Sequence, residues 1–212
     1  MSLKHELQDI ISGNGTVRFG EAIQSAKRFI RGKKETIQGI EETKQFQIQE
    51  AQILTEYIDQ NNLWITDINP SSYIGEGAEQ KVYESSDPDF IIKLNDRIFY
   101  ACWEDYFSSL LLHNYFFPHL AYELLGFHMA EAALCAVVKQ HFVKSTGPTN
   151  LENVKTFVES NGFVQTRINN YHHPQLGIII EDLHDENVLT EEGTLQFIDT
   201  VFYLTPVFFR PD

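Results

Sequence analysis

The chain has 212 residues, a formal net charge of -14 and two cysteines. That length suits one domain with an appendage, or two small domains, and is enough to bury a core. With 42% hydrophobic and 22% charged residues, wholesale disorder is excluded, and the acidic balance argues against a general nucleic-acid or anionic-membrane binder.

The first 60 residues hold 8 basic and 9 acidic side chains, against 8 and 21 in the remainder. This shift marks residues 1–62 as a separate helical module and residues 63–212 as the main domain. The opening Met1–Glu6 lacks a basic stretch followed by an apolar one, so no secretory signal is expected. No apolar run approaches the ~18 residues of a membrane span. A cytoplasmic location follows, and Cys102 and Cys135, both in apolar contexts, are expected to be free thiols.

Phe19, Ile23, Ala26, Phe29 and Ile30 recur at helical spacing. The accompanying Lys27, Arg28, Arg31, Lys33 and Lys34 are expected at a solvated helix end. A second helix is predicted from Glu35 to Gln60, with Ile48, Ala51, Ile53, Leu54 and Ile58 on its apolar side. From Trp64 the pattern turns to short β-type runs: Leu63–Ile65, Lys81–Tyr83 and Phe90–Leu94, with a turn at Asp87-Pro88-Asp89. A helix is predicted over Tyr100–Phe117, stopping before Pro118. A short helix or strand ends near Gly126, and a strand follows within Ala132–Val143. Thr149 and Glu152 fit a capping box for a helix that ends at Asn161-Gly162. Gly177–Ile180 is a buried strand, and residues 187–198 form a hairpin turning at Gly193. His172-His173 before Pro174 is expected to be a loop pair, His113 and His119 to be core or surface residues, and the aromatic run Tyr115–Phe117 to pack.

Three features in a fixed order carry chemistry. Ile74-Gly75-Glu76-Gly77-Ala78-Glu79-Gln80 is a Gly-rich turn between β-type runs. Glycines there let backbone N–H groups approach a phosphate. Lys93 sits inside the apolar run Phe90–Leu94, which suits a cation held beneath the loop for nucleotide phosphates. Asp182, then Asn187 five positions on, then Asp199 after the hairpin combine a base with two hard oxygen ligands for magnesium.

In these motifs the chain resembles the protein-kinase-like superfamily over about residues 63–204. It is most similar to the kinase family of bacterial polyvalent proteins of mobile elements. Tyr-Ile-Gly-Glu-Gly-Ala-Glu (73–79), Lys-Leu-Asn (93–95), His-Asn-Tyr-Phe-Phe-Pro (113–118) and Asp-Leu-His-Asp-Glu-Asn-Val-Leu (182–189) carry that likeness. The resemblance implies an α+β fold: a two-lobe kinase-like domain with a minimal C-terminal lobe, preceded by the helical module. It implies ATP and magnesium as cofactors and a hydroxyl on a protein or small molecule as acceptor. Gly75 and Gly77 take the place of the loop glycines, Val82 that of the residue packed on adenine, and Lys93 that of the phosphate-binding lysine. Glu104 is expected as the helical carboxylate partner of Lys93, with Asp105 in reserve. The strand through Ala136–Val143 leads to the hinge. Asp182 takes the place of the base, Asn187 and Asp199 those of the metal ligands.

The departures are specific. Gln80 replaces the third glycine, Ile180-Glu181 the His-Arg before the base, His184 the catalytic-loop lysine, and Thr200-Val201 the Phe-Gly after the metal aspartate. The Asp-Leu-His run is similar to that of small-molecule phosphotransferases such as aminoglycoside kinases. Only thirteen residues follow Asp199, so a peptide-docking platform is expected to be missing, or supplied by residues 1–62 or by another chain. The first reading is a protein kinase; the alternatives are a nucleotide-binding pseudokinase that serves as an interaction module and a small-molecule phosphotransferase. A short C-terminal lobe is expected to leave apolar surface that an oligomer would cover.

Overall fold

The computed structural model describes residues 2–34, 43–77 and 80–211. Helix α1 (Leu3–Ser12) is capped by Ser2, whose side chain accepts from the His5 N–H, and closes on Gly13 at φ 90°. Helix α2 (Gly20–Lys34) buries Ile23, Ala26 and Ile30; Phe19 lies just outside it at φ 53°. The basic cluster on α2 is not all solvated. Lys27 is 3% exposed and its Nζ donates to the Ile11 carbonyl at 2.9 Å, while Gln24 donates to that of Ile10. The last carbonyls of α1 have no partner within their own helix, and these two side chains supply one. Burial, the largest cause, pushes the Lys27 pKa down to about 7. The expected start of the next helix at Glu35 falls outside the described residues. Helix α3 (Thr43–Asn61) buries Ile53, Leu54 and Ile58.

Strands β1 (Tyr73–Glu76), β2 (Gln80–Glu84) and β3 (Phe90–Asn95) precede helix α4 (Trp103–Phe116), which is followed by β4 (Glu123–Ala130) and β5 (Ala133–His141). They form one antiparallel sheet in the order β1-β2-β3-β5-β4. Leu63–Ile65 contributes only a bridge, Trp64 to Phe127. Helix α4 begins three residues later than the sequence predicts, because Cys102 is extended (φ -154°, ψ 169°) and makes no side-chain cap. The cap comes from α3. Glu50, fully buried, accepts from the N–H of Trp103 at 2.7 Å and of Glu104 at 3.3 Å. A carboxylate at a helix N-terminus is also favoured by the helix dipole. Glu50→Ala strands two buried donors and should cost about 2–4 kcal/mol. An unchanged urea midpoint would rule out this cap as a stabilising contact.

Helix α5 (Leu151–Ser160) leads into β6 (Val164–Arg167), β7 (Asn170–His173), β8 (Ile178–Glu181), the hairpin β9 (Val188–Glu191) and β10 (Thr194–Phe197), and β11 (Val201–Leu204). A second antiparallel sheet has the order β11-β8-β7-β6. Asn150 caps α5 by accepting from the N–H groups of Glu152 and Asn153. The expected Thr149 cap is displaced, since the Thr149 hydroxyl lies 3.1 Å from that of Thr190. His172 and His173 belong to strand β7 and not to a loop. Among the described residues no disulfide joins the two cysteines; Cys135 is buried and Cys102 half-buried. The fold is α+β, and one apolar cluster joins Leu7, Ile23, Leu54, Phe107, Ile178 and Phe202. Helices α1–α3 therefore share a core with both sheets. Among the described residues no helix is long and apolar enough to cross a membrane.

Helix α4 is also fastened to β11. Ser109 Oγ accepts from the Phe202 N–H at 3.0 Å, and His113 Nδ1 lies 2.7 Å from Thr200 Oγ1. His113 Nε2 faces the Leu120 carbonyl at 3.0 Å. A carbonyl only accepts, so the proton sits on Nε2 and Nδ1 accepts from Thr200. Burial drives the His113 pKa down to about 3. The unfolded chain therefore binds a proton below about pH 6.5 that the folded chain refuses until about pH 3. Stability is lost as the pH falls through that window, by about 2 kcal/mol between pH 7 and pH 5. The loss should be smaller in His113→Gln. Equal pH slopes of the urea midpoint in the two proteins would refute this assignment.

Candidate active site

The first sheet turns one face toward Ile198 and Asp199, which follow the hairpin β9–β10. Val82 and Val138 both pair with Lys93, and Gln80 pairs with Asn95. Side chains alternate along a strand, so Gln80, Val82, Lys93 and Val138 share that face, while Tyr83 and Leu94 point to the other. At the β1–β2 turn, a Cβ added to Gly75 or Gly77 would meet nothing within 4 Å among the described residues. Neither glycine needs a left-handed backbone here. Their effect is to leave the space against the loop open.

Lys93 is 2% exposed, and its Nζ lies 3.1 Å from the Ile198 carbonyl and 3.3 Å from Asp199 Oδ2. The same Oδ2 accepts from the Gln80 side-chain amide, and Asp199 Oδ1 accepts from the Tyr122 hydroxyl at 3.2 Å. A lysine so deeply buried requires a partner of this kind.

The hairpin brings the remaining groups together. Val188 pairs with Phe197 at its open end, so Asn187 and Ile198 are adjacent. The N–H groups of Ile198 and Asp199 donate to the Asn187 carbonyl at 3.0 and 3.3 Å. Asp182 sits at φ 66°, a strained setting for a non-glycine residue. It is held there by its own N–H to Asn170 Oδ1, and by Asn187 Nδ2 on its carbonyl at 3.0 Å and on Oδ2 at 2.8 Å. His184 Nε2 stands 3.2 Å from Asp182 Oδ1. His184 Nδ1 accepts from the Glu186 N–H, so Nε2 is the protonated nitrogen and donates to Asp182. Asp182 therefore points outward, with its carboxylate oriented by His184 and Asn187 and about half exposed (53%).

Lys93 from β3, Asp182 and Asn187 from the loop between β8 and β9, and Asp199 after β10 thus come from three separate segments to one place. Glu104 does not join them. It lies in the first turn of α4 with its carboxylate 3.9 Å from Arg31 on α2, and Lys93 is held by Asp199 and Ile198 instead. Asp105 is in the same turn, and both carboxylates act electrostatically on Lys27. No pattern in the sequence singled out Tyr122 or Glu50. Gln80 stood out only as a missing glycine.

A glycine-bearing hairpin over a buried strand lysine, facing an Asp–Asn loop and an aspartate after a hairpin, has the arrangement of kinases. A family model described as Serine/Threonine/Tyrosine Kinase found in polyvalent proteins matches residues 47–206. The chain belongs to this family. No curated protein matches it. The match begins inside α3 and so takes in Glu50, the residue that caps α4.

Proposed function

We propose that the protein is a magnesium- and ATP-dependent phosphotransferase acting on a protein hydroxyl, with a two-lobed kinase domain over residues 63–212 and a helical module, residues 1–62, that braces α4. The observation that carries this reading is the convergence of Lys93, Asp199, Asn187 and Asp182. Gly75 and Gly77 leave room for phosphate beside backbone N–H groups, and Lys93 supplies the cation beneath them. Val82, on the same face, offers an apolar surface to the base. Asp199 and Asn187 provide a carboxylate and an amide oxygen, a hard donor set that fits magnesium. A magnesium ion held by these two residues would supply positive charge to offset that of the phosphates. Asp182 accepts a hydrogen bond from the acceptor hydroxyl and orients it, while His184 and Asn187 fix the carboxylate in place.

One observation favours a second reading. The Asp199 carboxylate already takes donors from Lys93, Gln80 and Tyr122, as suits a pseudokinase that binds a partner and needs no metal.

Thermal unfolding with ATP, with and without magnesium, separates the two. ATP at about 100 times its dissociation constant adds about 2.7 kcal/mol of stability, and only with magnesium present. Phosphate transfer to a panel of proteins and small hydroxyl compounds then identifies the acceptor class. No stabilisation under either condition sinks the phosphotransferase reading and leaves the interaction module.

A further inference from the structure

We propose that Tyr122, directly before β4, is the residue that positions Lys93 and Asp199, in place of a carboxylate on α4; this rests on the phosphotransferase reading above. Tyr122 is 4% exposed. Its hydroxyl lies 2.8 Å from the Ile198 carbonyl and 3.2 Å from Asp199 Oδ1, and its ring centroid lies 5.4 Å from Lys93 Nζ. Lys93 takes Oδ2 of the same carboxylate. The one hydroxyl proton is shared between the Ile198 carbonyl and Oδ1, and with Lys93 on Oδ2 it limits rotation of the carboxylate. The ring meanwhile offers its negative face to the ammonium.

Helix α4 sets Tyr122 in turn. Asn114, fully buried, donates to the Tyr122 carbonyl at 2.8 Å and accepts from the Tyr122 N–H at 2.7 Å. The His113 ring lies 4.5 Å from the Tyr122 ring. The end of α4 next to Lys93 is this C-terminal one, where His113 feels the lysine's charge. Glu104 is nine residues back along the helix, a rise of about 13 Å. The orientation of α4 therefore reaches the lysine through an amide pair and an aromatic ring, with no ion pair from the helix.

The ring and the hydroxyl act separately, so Tyr122→Phe and Tyr122→Leu divide the effect. The readouts are the magnesium concentration at half-maximal ATP-dependent stabilisation, and kcat against KM for ATP. Tyr122→Phe should raise the magnesium midpoint about fivefold, through loss of a hydrogen bond shared between the Ile198 carbonyl and Asp199. Tyr122→Leu should raise it more than about tenfold, because the attraction of the ring for the ammonium goes as well. KM for ATP rises in the same order, and Glu104→Gln leaves both quantities where they are. A purely structural tyrosine would lower the unliganded melting temperature without moving the magnesium midpoint. Should the leucine variant fail to fold, the phenylalanine variant decides. A wild-type midpoint in Tyr122→Phe, or a matching rise in Glu104→Gln, overturns the inference and leaves the phosphotransferase reading intact. A wild-type protein that shows no magnesium-dependent stabilisation overturns both.

Discussion

Asp182→Asn should lose turnover by about 10²–10⁴-fold, the usual contribution of a positioned general base, while the stabilisation by magnesium and ATP stays within error of wild type. The geometry makes the separation sharp. Asp182 receives His184 Nε2 on one oxygen and Asn187 Nδ2 on the other. An amide at this position offers only one oxygen to those two donors and cannot accept a proton from a hydroxyl. Lys93 and Asp199 hold each other independently of Asp182, and Asn187 keeps its bond to the backbone carbonyl of residue 182, so the nucleotide site stays nearly intact. Turnover and the thermal shift should be measured on the same preparation. A variant that loses both would make Asp182 part of the nucleotide site, and one that keeps turnover would remove it from the chemistry.

The parts of the site readable from sequence were those fixed by local rules. The turn around Gly75 and Gly77 lies between β-type runs, and the hairpin over 188–197 closes by short-range pairing. The hairpin alone places Asn187 beside Asp199, so spacing sufficed. Lys93 stood out because it interrupts the apolar run Phe90–Leu94. What stayed hidden depends on pairs far apart in the chain. Gln80 and Asp199 are 119 residues apart, Tyr122 and Asp199 77, and Glu50 and Trp103 53. No local pattern encodes such a meeting. The Glu104 expectation failed for the same reason. A carboxylate in the right helix is common, but which end of the helix faces the lysine is set by packing. The Thr149 capping box was a local rule overridden by a neighbour, since Thr190 took the hydroxyl and Asn150 served as cap. Lys27 was overridden likewise, because the end of α1 needed a donor more than the lysine needed water.

The same long-range hydrogen bonds bear on control. In this chain the segment after Asp199 continues as β11, paired with β8 next to the Asp182 loop. Ser109 and His113 on α4 fasten it from the other side, and Glu50 fixes the opposite end of α4. Helix α4, Asp199 and the Asp182 loop are thus joined by hydrogen bonds, buried at α4 and exposed at the Asp182 loop, that need no added phosphate. On the phosphotransferase reading, a site so assembled is ready when its nucleotide arrives, and Gln80 on Asp199 is the group a metal has to displace.

Asp199→Ala should abolish the magnesium-dependent stabilisation by ATP and also unfold more easily without ligand. The two losses have different causes. The first is the loss of a carboxylate ligand. The second comes from Lys93, 2% exposed and 3.3 Å from Asp199, whose ammonium is left buried with the Ile198 carbonyl and the Tyr122 ring. Breaking a buried pair costs about 3–5 kcal/mol, and the partial exposure of Asp199 places the expected value at about 2–4. A double-mutant cycle separates the causes. Lys93→Met in the Asp199→Ala background removes the stranded charge, so it should recover part of the lost stability in urea unfolding. It should recover none of the response to magnesium and ATP. If Lys93→Met further destabilises the Asp199→Ala protein, the buried charge is not what the single variant suffers from. If the double variant still responds to magnesium and ATP, the metal-binding carboxylate lies elsewhere.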